Sequence, residues 1–409
     1  MGNRTPDREV AGESGITVTQ SYGWRLAVFA LFLLLPSVGL FDKYLGRGGV
    51  LIYGVVSVPL LIVILRPGSR LPRVFLRLKP RLAWGLVALT FAVLIAAVVI
   101  IYPIANSGIV GGGSDSDDSL DQGVRALWTG RYPYDELTYL GQPVVALTGG
   151  LLLSTPAVLG LGGSAYQNVF WLALFFWALK AQLHDVRLAL LLLWLMFGLA
   201  PTTFYGVLNG TDHIASALAV LVLTQWLLLE VHKKRRRIWL AVILLGLALG
   251  WRPNLLWLLP LIVMAVQRNA GWRTASLVGG SLLLVLLATN LPFYLYNPAR
   301  YAPLQANFDL VRWLAGPLVP VLTGVLALAL AVTQPRSCGI SILFRNCAWV
   351  LALPIWCLFL ASSAALGQLS WYFAKYGIFA LFFSVASFGV DLLAFAGQFT
   401  QRRQGEPVN

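Results

Sequence analysis

Long apolar runs follow one another along the chain, separated by short polar stretches, and run length decides the fold more than any alternation within the runs. A helix needs roughly 20 predominantly apolar residues to cross the ~30 Å hydrocarbon layer of a bilayer. The pattern predicts membrane spans at about 24–41, 49–65, 82–104, 165–183, 187–206, 211–231, 274–293, 312–333, 346–364 and 371–397. The run from Ile238 to Val266 would be ~44 Å long as one helix, too long for that layer. Two short spans turning at Gly250, Trp251, Arg252, Pro253 and Asn254 accommodate it, because a residue before proline is steered away from helical backbone. The expectation is an all-α polytopic membrane protein of about twelve transmembrane helices.

Charge orients these spans. The loop from Arg66 to Arg81 carries Arg66, Arg70, Arg73, Arg77, Lys79 and Arg81 with no acid, and the run Lys233, Lys234, Arg235, Arg236 and Arg237 is as one-sided. Basic loops stay in the cytoplasm, so both termini are expected there, including the tail with Arg402 and Arg403. The stretch Val144 to Gly163 is apolar but broken by Gly149, Gly150, Ser154, Thr155 and Pro156. A crossing there would put every later basic loop outside, so it reads as a re-entrant or interfacial segment. The resulting division is a disordered tail (1–22), three spans (23–104), an outer-face loop (105–164), about nine further spans (165–398) and a second tail (399–409).

Composition agrees. With 58% hydrophobic and 11% charged residues and a mean hydropathy of +0.76, the chain could not keep its apolar surface from water as a soluble domain. The formal charge of +14 lies in loops between spans, so it argues for orientation in a membrane and against nucleic acid as a partner. Cys338, Cys347 and Cys357 lack metal-ligand spacing and read as inert thiols. The first apolar run, Trp24 to Leu40, has no small-residue cleavage site and is interrupted near its end by Pro36, so it reads as a retained span.

The loop between the third and fourth spans holds Asp115, Asp117, Asp118 and Asp121. Behind them Leu120, Val124, Leu127 and Trp128 recur at helical spacing, which predicts a short interfacial helix with the acidic run at its positive end. The topology gathers four more polar stations on the same outer side: 202–213, 251–254, 290–312 and 362–376. The four aspartates offer a general base, or ligands for a divalent metal, Asp117 and Asp118 first among them. Arg252, Arg300 and Lys375 offer partners for a phosphate, and Trp251, Trp371, Tyr372 and Tyr376 offer faces for a sugar. Asp212 beside His213 suggests a charge pair, and one histidine without further His or Cys nearby makes a poor zinc site. Bland readings stand beside these: a solvated acidic segment, an arginine snorkelling to the interface, and an aromatic belt.

The residues 126–134, Ala-Leu-Trp-Thr-Gly-Arg-Tyr-Pro-Tyr, resemble the A-L-x-x-G-x-x-P-Y element of the GT-C integral membrane glycosyltransferases. Asp115 stands fifteen residues before Gly130, close to the spacing that the first-loop catalytic aspartate of that superfamily usually keeps. Asn209, Gly210, Thr211 and Asp212 are similar to the N-G-Q element of its bacterial mannosyltransferase-like branch. Gly250 to Pro253 take the place of a short helical hairpin that often carries a lysine. The resemblance implies transfer of a sugar, a hexose such as mannose, from a polyprenyl-phosphate donor to a lipid or envelope glycan acceptor, with inversion, at the outer face of the plasma membrane. It implies Asp115 as the base, and adds Tyr134, Asn209, Asp212 and His213 to the sugar or acceptor contacts. Two spans precede the usual first span, Ser119 stands where a tyrosine often follows the catalytic acid, and only Thr155 and Pro156 remain of a Tyr-Pro-Pro element. The reading from a different class is a lipid or solute transporter, in which the same charges would line a pathway.

Overall fold

The computed structural model describes residues 10–107, 115–233, 235–304, 317–335 and 339–403, and the side chains of all of these except 10–21 and 397–403. Among the described residues the chain is helical without a named strand, and a lone antiparallel bridge joins Leu137 to Pro143. Gly111 to Ser114 of the acidic loop, Lys234, Arg312 and Cys338 lie outside the described residues.

The first two expected spans form one helical hairpin, α1 (Val10–Leu65), which is helical from Val10 onward where the polar composition suggests a tail. It reverses at Gly46 (φ 64°, ψ −167°), a conformation open essentially to glycine alone. The arms are tied together where the rings of Phe41 and Tyr53 stack at 4.2 Å, while the Tyr53 hydroxyl donates to the Leu199 carbonyl (2.5 Å). At the far end the Tyr22 hydroxyl meets the Leu65 carbonyl. α11 (Leu259–Tyr296) does the same at Gly271 (φ 80°, ψ 170°). There Gly279 lets the returning arm press on Val263, whose Cγ2 would stand 3.0 Å from an added Cβ.

Between the hairpins run α2 (Arg70–Arg77), α3 (Pro80–Asn106), which takes Pro80 in its first turn where the missing N–H costs nothing, and α4 (Asp115–Trp128). α5 (Thr148–Leu161) is followed by a sharp bend of 105° into the segment Ser164–Leu183, which contains α6 (Gln167–Leu183). α7 (Val186–Leu199) and α8 (Pro201–Leu208) meet at 84°, where a single straight span at 187–206 is expected. The apolar run is continuous there, but Pro201 pushes Ala200 out of helical backbone (φ −122°, ψ 70°) and breaks the helix.

α9 (Asp212–His232) is the hub. Ile214, Ala215 and the run Ala217 to Leu221 are fully buried, against α6, α10 (Ile238–Leu249) and α11. The chain continues through α12 (Leu318–Val332) and α13 (Ile340–Leu366) to a tight turn, Trp371–Gly377. α14 (Ile378–Ser384) then passes through a π-helical turn, Val385–Gly389, into α15 (Val390–Arg403).

Outward faces are apolar: Leu89, Val93 and Ile100 on α3 are 59%, 55% and 63% exposed. A water-soluble chain rarely shows such continuous apolar surface. Among the described residues six helical segments are long and apolar enough to cross a membrane, or up to eight if each of the two bent pairs is one span. The protein is a multi-pass, all-α membrane protein.

Candidate functional site

The N-terminus of α4 meets the N-terminus of α9. Ser116 donates to the Thr211 hydroxyl (3.3 Å) and accepts from the Asp212 N–H (3.3 Å). The approach depends on Gly210, whose φ of +73° favours glycine and whose position leaves no room for a side chain. An added Cβ would stand 2.7 Å from the Tyr102 ring and 2.8 Å from Ala165. The Asn209–Asp212 stretch, singled out from sequence, is thus a turn that lets two helix starts converge.

Above this junction lies a cavity of about 1050 Å³. Asp115, Ser116 and Ser119 of α4 line one side, Asn209, Thr211 and His213 the floor, and Arg252 reaches it from the 250–254 turn. The turn 371–377 supplies Trp371, Tyr372, Lys375 and Tyr376, and the tip of the first hairpin supplies Asp42 and Lys43. Lys375 is held over the rings of Tyr372 (4.3 Å) and Tyr376 (5.2 Å), and the tight turn carries it into the cavity instead of into an apolar core. Eight of the candidates read from sequence therefore share one space: Asp115, Asn209, His213, Arg252, Trp371, Tyr372, Lys375 and Tyr376.

The four aspartates part company. The run lies inside the first turns of α4, not before it, and helical phase aims each carboxylate differently. Asp115 is half-buried on the cavity wall, and its Oδ1 is buried without a hydrogen-bond partner among the described residues. Asp117 points inward, fully buried, and accepts from the Tyr102 hydroxyl at 2.6 Å. Burial pushes its carboxyl up to about 7 against the opposing pull of that hydroxyl. Asp118 accepts from Gln122 (3.1 Å) and from the Tyr139 N–H (2.7 Å), which ties the following loop to the helix. Asp121, raised by burial and pulled back by Ser164, accepts the Ser164 N–H at 2.8 Å and borders a smaller cleft of about 390 Å³. Among the described residues no three His, Cys, Asp or Glu side chains gather as a metal-binding set.

Behind the cavity floor Asp212 is shut from solvent and holds two partners. Arg252 donates Nε to Oδ2 (2.8 Å) and Nη2 to Oδ1 (2.6 Å), and His213 Nδ1 lies 2.8 Å from Oδ1. The His213 ring is sandwiched between Tyr376 (5.2 Å) and Phe379 (5.0 Å).

The remaining candidates lie elsewhere. Arg300 pairs with Asp135 (2.8 Å) on the surface, outside the cavity. Trp251 is fully buried in a notch made by Gly150, where an added Cβ would stand 2.5 Å from its Cδ1, so it packs α5 against the 250–254 turn. Tyr134 is buried too, its hydroxyl 3.0 Å from that of Thr148 and its ring edge-on to Tyr301.

Asp42 and Lys43 went unmarked in the sequence. Gly39 lets the first hairpin press on the 371–377 turn, with the Trp371 carbonyl 2.9 Å from where a Cβ would be. Arg47 donates to Gln368 (2.9 Å) and the hydroxyls of Tyr44 and Tyr205 lie 3.2 Å apart, so the tip is fastened to two cavity walls. The available signal was the polar turn 42–48, which alternation of sides puts with the acidic loop. No protein family, curated protein or solved structure gives a significant match to this chain.

Proposed function

We propose that the protein is a membrane glycosyltransferase that moves a sugar from a polyprenyl-phosphate donor to a hydroxyl of a lipid or envelope glycan. In this reading the chain crosses the membrane about twelve times with both termini cytoplasmic, and the cavity opens on the outer side. The observation that carries it is the pairing of chemistries in one cavity: a carboxylate whose buried oxygen has no partner among the described residues, Asp115, and a set of cations, Arg252, Lys375 and Lys43.

The acceptor hydroxyl gives its proton to Asp115 as its oxygen bonds to the anomeric carbon. The bond from that carbon to the phosphate oxygen breaks, and polyprenyl phosphate leaves with the electron pair. Lys375 and the free N–H groups of Arg252 hold the charge that develops on it. Attack opposite the leaving group inverts the anomeric centre. Tyr372, Leu369 and Leu366, which are 60%, 62% and 61% exposed beside the cavity, suit an isoprenoid chain entering from the bilayer.

Purified protein in lipid nanodiscs is to be supplied with polyprenyl-phosphate mannose, glucose, galactose and arabinose in turn, together with membrane extract as acceptor. Release of polyprenyl phosphate from one donor is the expected result, and the same assay with chelator reads any dependence on a divalent ion. Passage of intact donor across the bilayer of sealed proteoliposomes, without release, would make the protein a transporter.

A further inference from the structure

The pair Asp212 and His213 does more than line the floor. Asp212 accepts both nitrogens of the Arg252 fork, which fits an ionised carboxylate, and an ionised carboxylate can only accept. The His213 Nδ1, at 2.8 Å from it, therefore carries the hydrogen. In the neutral ring this leaves Nε2 with a bare lone pair, the ring's hydrogen bond among the described residues being the one at Nδ1. The ring cannot turn to change that. It is held at Nδ1 and stacked between Tyr376 and Phe379 at interplanar angles of 28° and 24°.

The oxygens of a fully ionised phosphate monoester only accept hydrogen bonds, so one drawn in by Arg252, Lys375 and Lys43 would meet an acceptor at Nε2. Asp212 already balances the charge of Arg252, and the titratable groups around the ring are Asp212 on its own helix, Arg252 from the 250–254 turn, Lys375 and Tyr376 from the 371–377 turn, and Asp115 across the cavity. We propose that His213 is a proton-accepting phosphate ligand: binding of a phosphate monoester draws a proton from solvent onto Nε2, which then donates to a phosphate oxygen. No bond of the ligand changes in this step, and the proton comes from water or buffer. The proposal rests on the sugar transfer argued above, whose donor is a phosphodiester and whose leaving group, polyprenyl phosphate, is the monoester, and it adds that holding this leaving group is coupled to proton uptake.

Calorimetric titration of the full chain in nanodiscs tests it, with a short-chain polyprenyl monophosphate and separately with inorganic phosphate. The titrations use two buffers of different protonation enthalpy at about pH 8, where a free histidine is neutral and a phosphate monoester is doubly charged. Wild type is expected to take up about one proton per ligand. His213→Gln should take up none and bind roughly tenfold or more weakly, the size of a lost charge-assisted hydrogen bond. Wild type that takes up no proton overturns the proposal without any variant, and so does equal uptake in wild type and His213→Gln. If inorganic phosphate alone binds with uptake that depends on His213, the proposal stands and the reading of polyprenyl phosphate as the leaving group falls. If neither ligand binds, both fall.

Discussion

Arg252 and Asp212 grip each other through two hydrogen bonds of 2.8 and 2.6 Å with side chains 12% and 0% exposed. The arginine offered by the sequence as a free phosphate ligand is thus also half of a buried ion pair. Truncating one partner of such a pair strands the other charge, which costs about 3–5 kcal/mol. Arg252→Ala is expected to lower the thermal unfolding midpoint as well as weaken donor binding, and Arg252→Lys to recover the charge without the fork. Asp212→Leu combined with Arg252→Met should recover much of the stability and none of the binding. A double-mutant cycle on thermal midpoints checks this, and additive single effects would rule the coupling out.

Burial of Asp117 against Tyr102 makes a pH prediction. Its carboxyl is raised to about 7 from an ordinary 3.8, so between those values the folded chain binds more protons than the unfolded one and stability falls as pH rises. The stabilising contribution is full below about pH 4 and gone above about pH 7. Asp117→Asn keeps the hydrogen bond from Tyr102 and cannot ionise. The midpoint of this variant should exceed that of wild type at mildly alkaline pH, with the gap closing towards acid, as measured by differential scanning fluorimetry across that range.

The packing of α5 gives a sharper structural test. A Cβ on Gly149 would stand 2.3 Å from the Leu247 carbonyl oxygen and 2.7 Å from that of Gly250, both backbone and unable to yield. On Gly150 it would strike the buried Trp251 ring at 2.5 Å. Overpacking a tight contact typically costs about 1–3 kcal/mol. Gly149→Ala is expected at or beyond the upper end of that range, whereas Gly160→Ala, with nothing within 4 Å, should be silent or slightly stabilising.

Run length made the helices readable in the sequence, because crossing an apolar layer sets how many apolar residues must follow one another. The arms of α1 and the 250–254 turn came from that count and from the proline that follows Arg252. The bend at Ala200 escaped it, since hydropathy does not change across Pro201. For the acidic run, composition placed four carboxylates at a helix start. Their separation into cavity, core, loop tie and second cleft needed the helical phase, which applies because the run lies inside the helix. Lys43 was missed, and Trp251 read as a sugar face, for a tertiary reason. One is brought to the cavity by the contact of Gly39 with Trp371, and the other is swallowed by a notch at Gly150.

Orientation is testable by labelling. The basic loop 66–81 and the acidic loop should face opposite sides. Val74 (52% exposed) and Leu140 (59% exposed) offer reporters that disturb little. In a background lacking Cys338, Cys347 and Cys357, an impermeant thiol reagent on intact cells should modify Leu140→Cys and leave Val74→Cys untouched. The reverse pattern would put the cavity inside and remove the proposed outer-face reaction.

Asp115 carries the proposed chemistry, and its separation from the other aspartates makes the test clean. Its Oδ1 is buried with no partner among the described residues and its side chain borders the cavity, whereas Asp118 ties down the Tyr139 N–H and Asp121 the Ser164 N–H. Asp115→Asn preserves size and removes basicity, and losing a general base lowers turnover by about 10²–10⁴-fold. Folding should be spared, because no hydrogen bond within the described residues depends on that oxygen. Asp118→Asn and Asp121→Asn should instead shift the thermal midpoint and leave turnover within a few fold once folded protein is counted. Measuring both quantities on each variant separates base from scaffold, and an Asp115→Asn enzyme turning over near the wild-type rate would move the base to another group in the cavity.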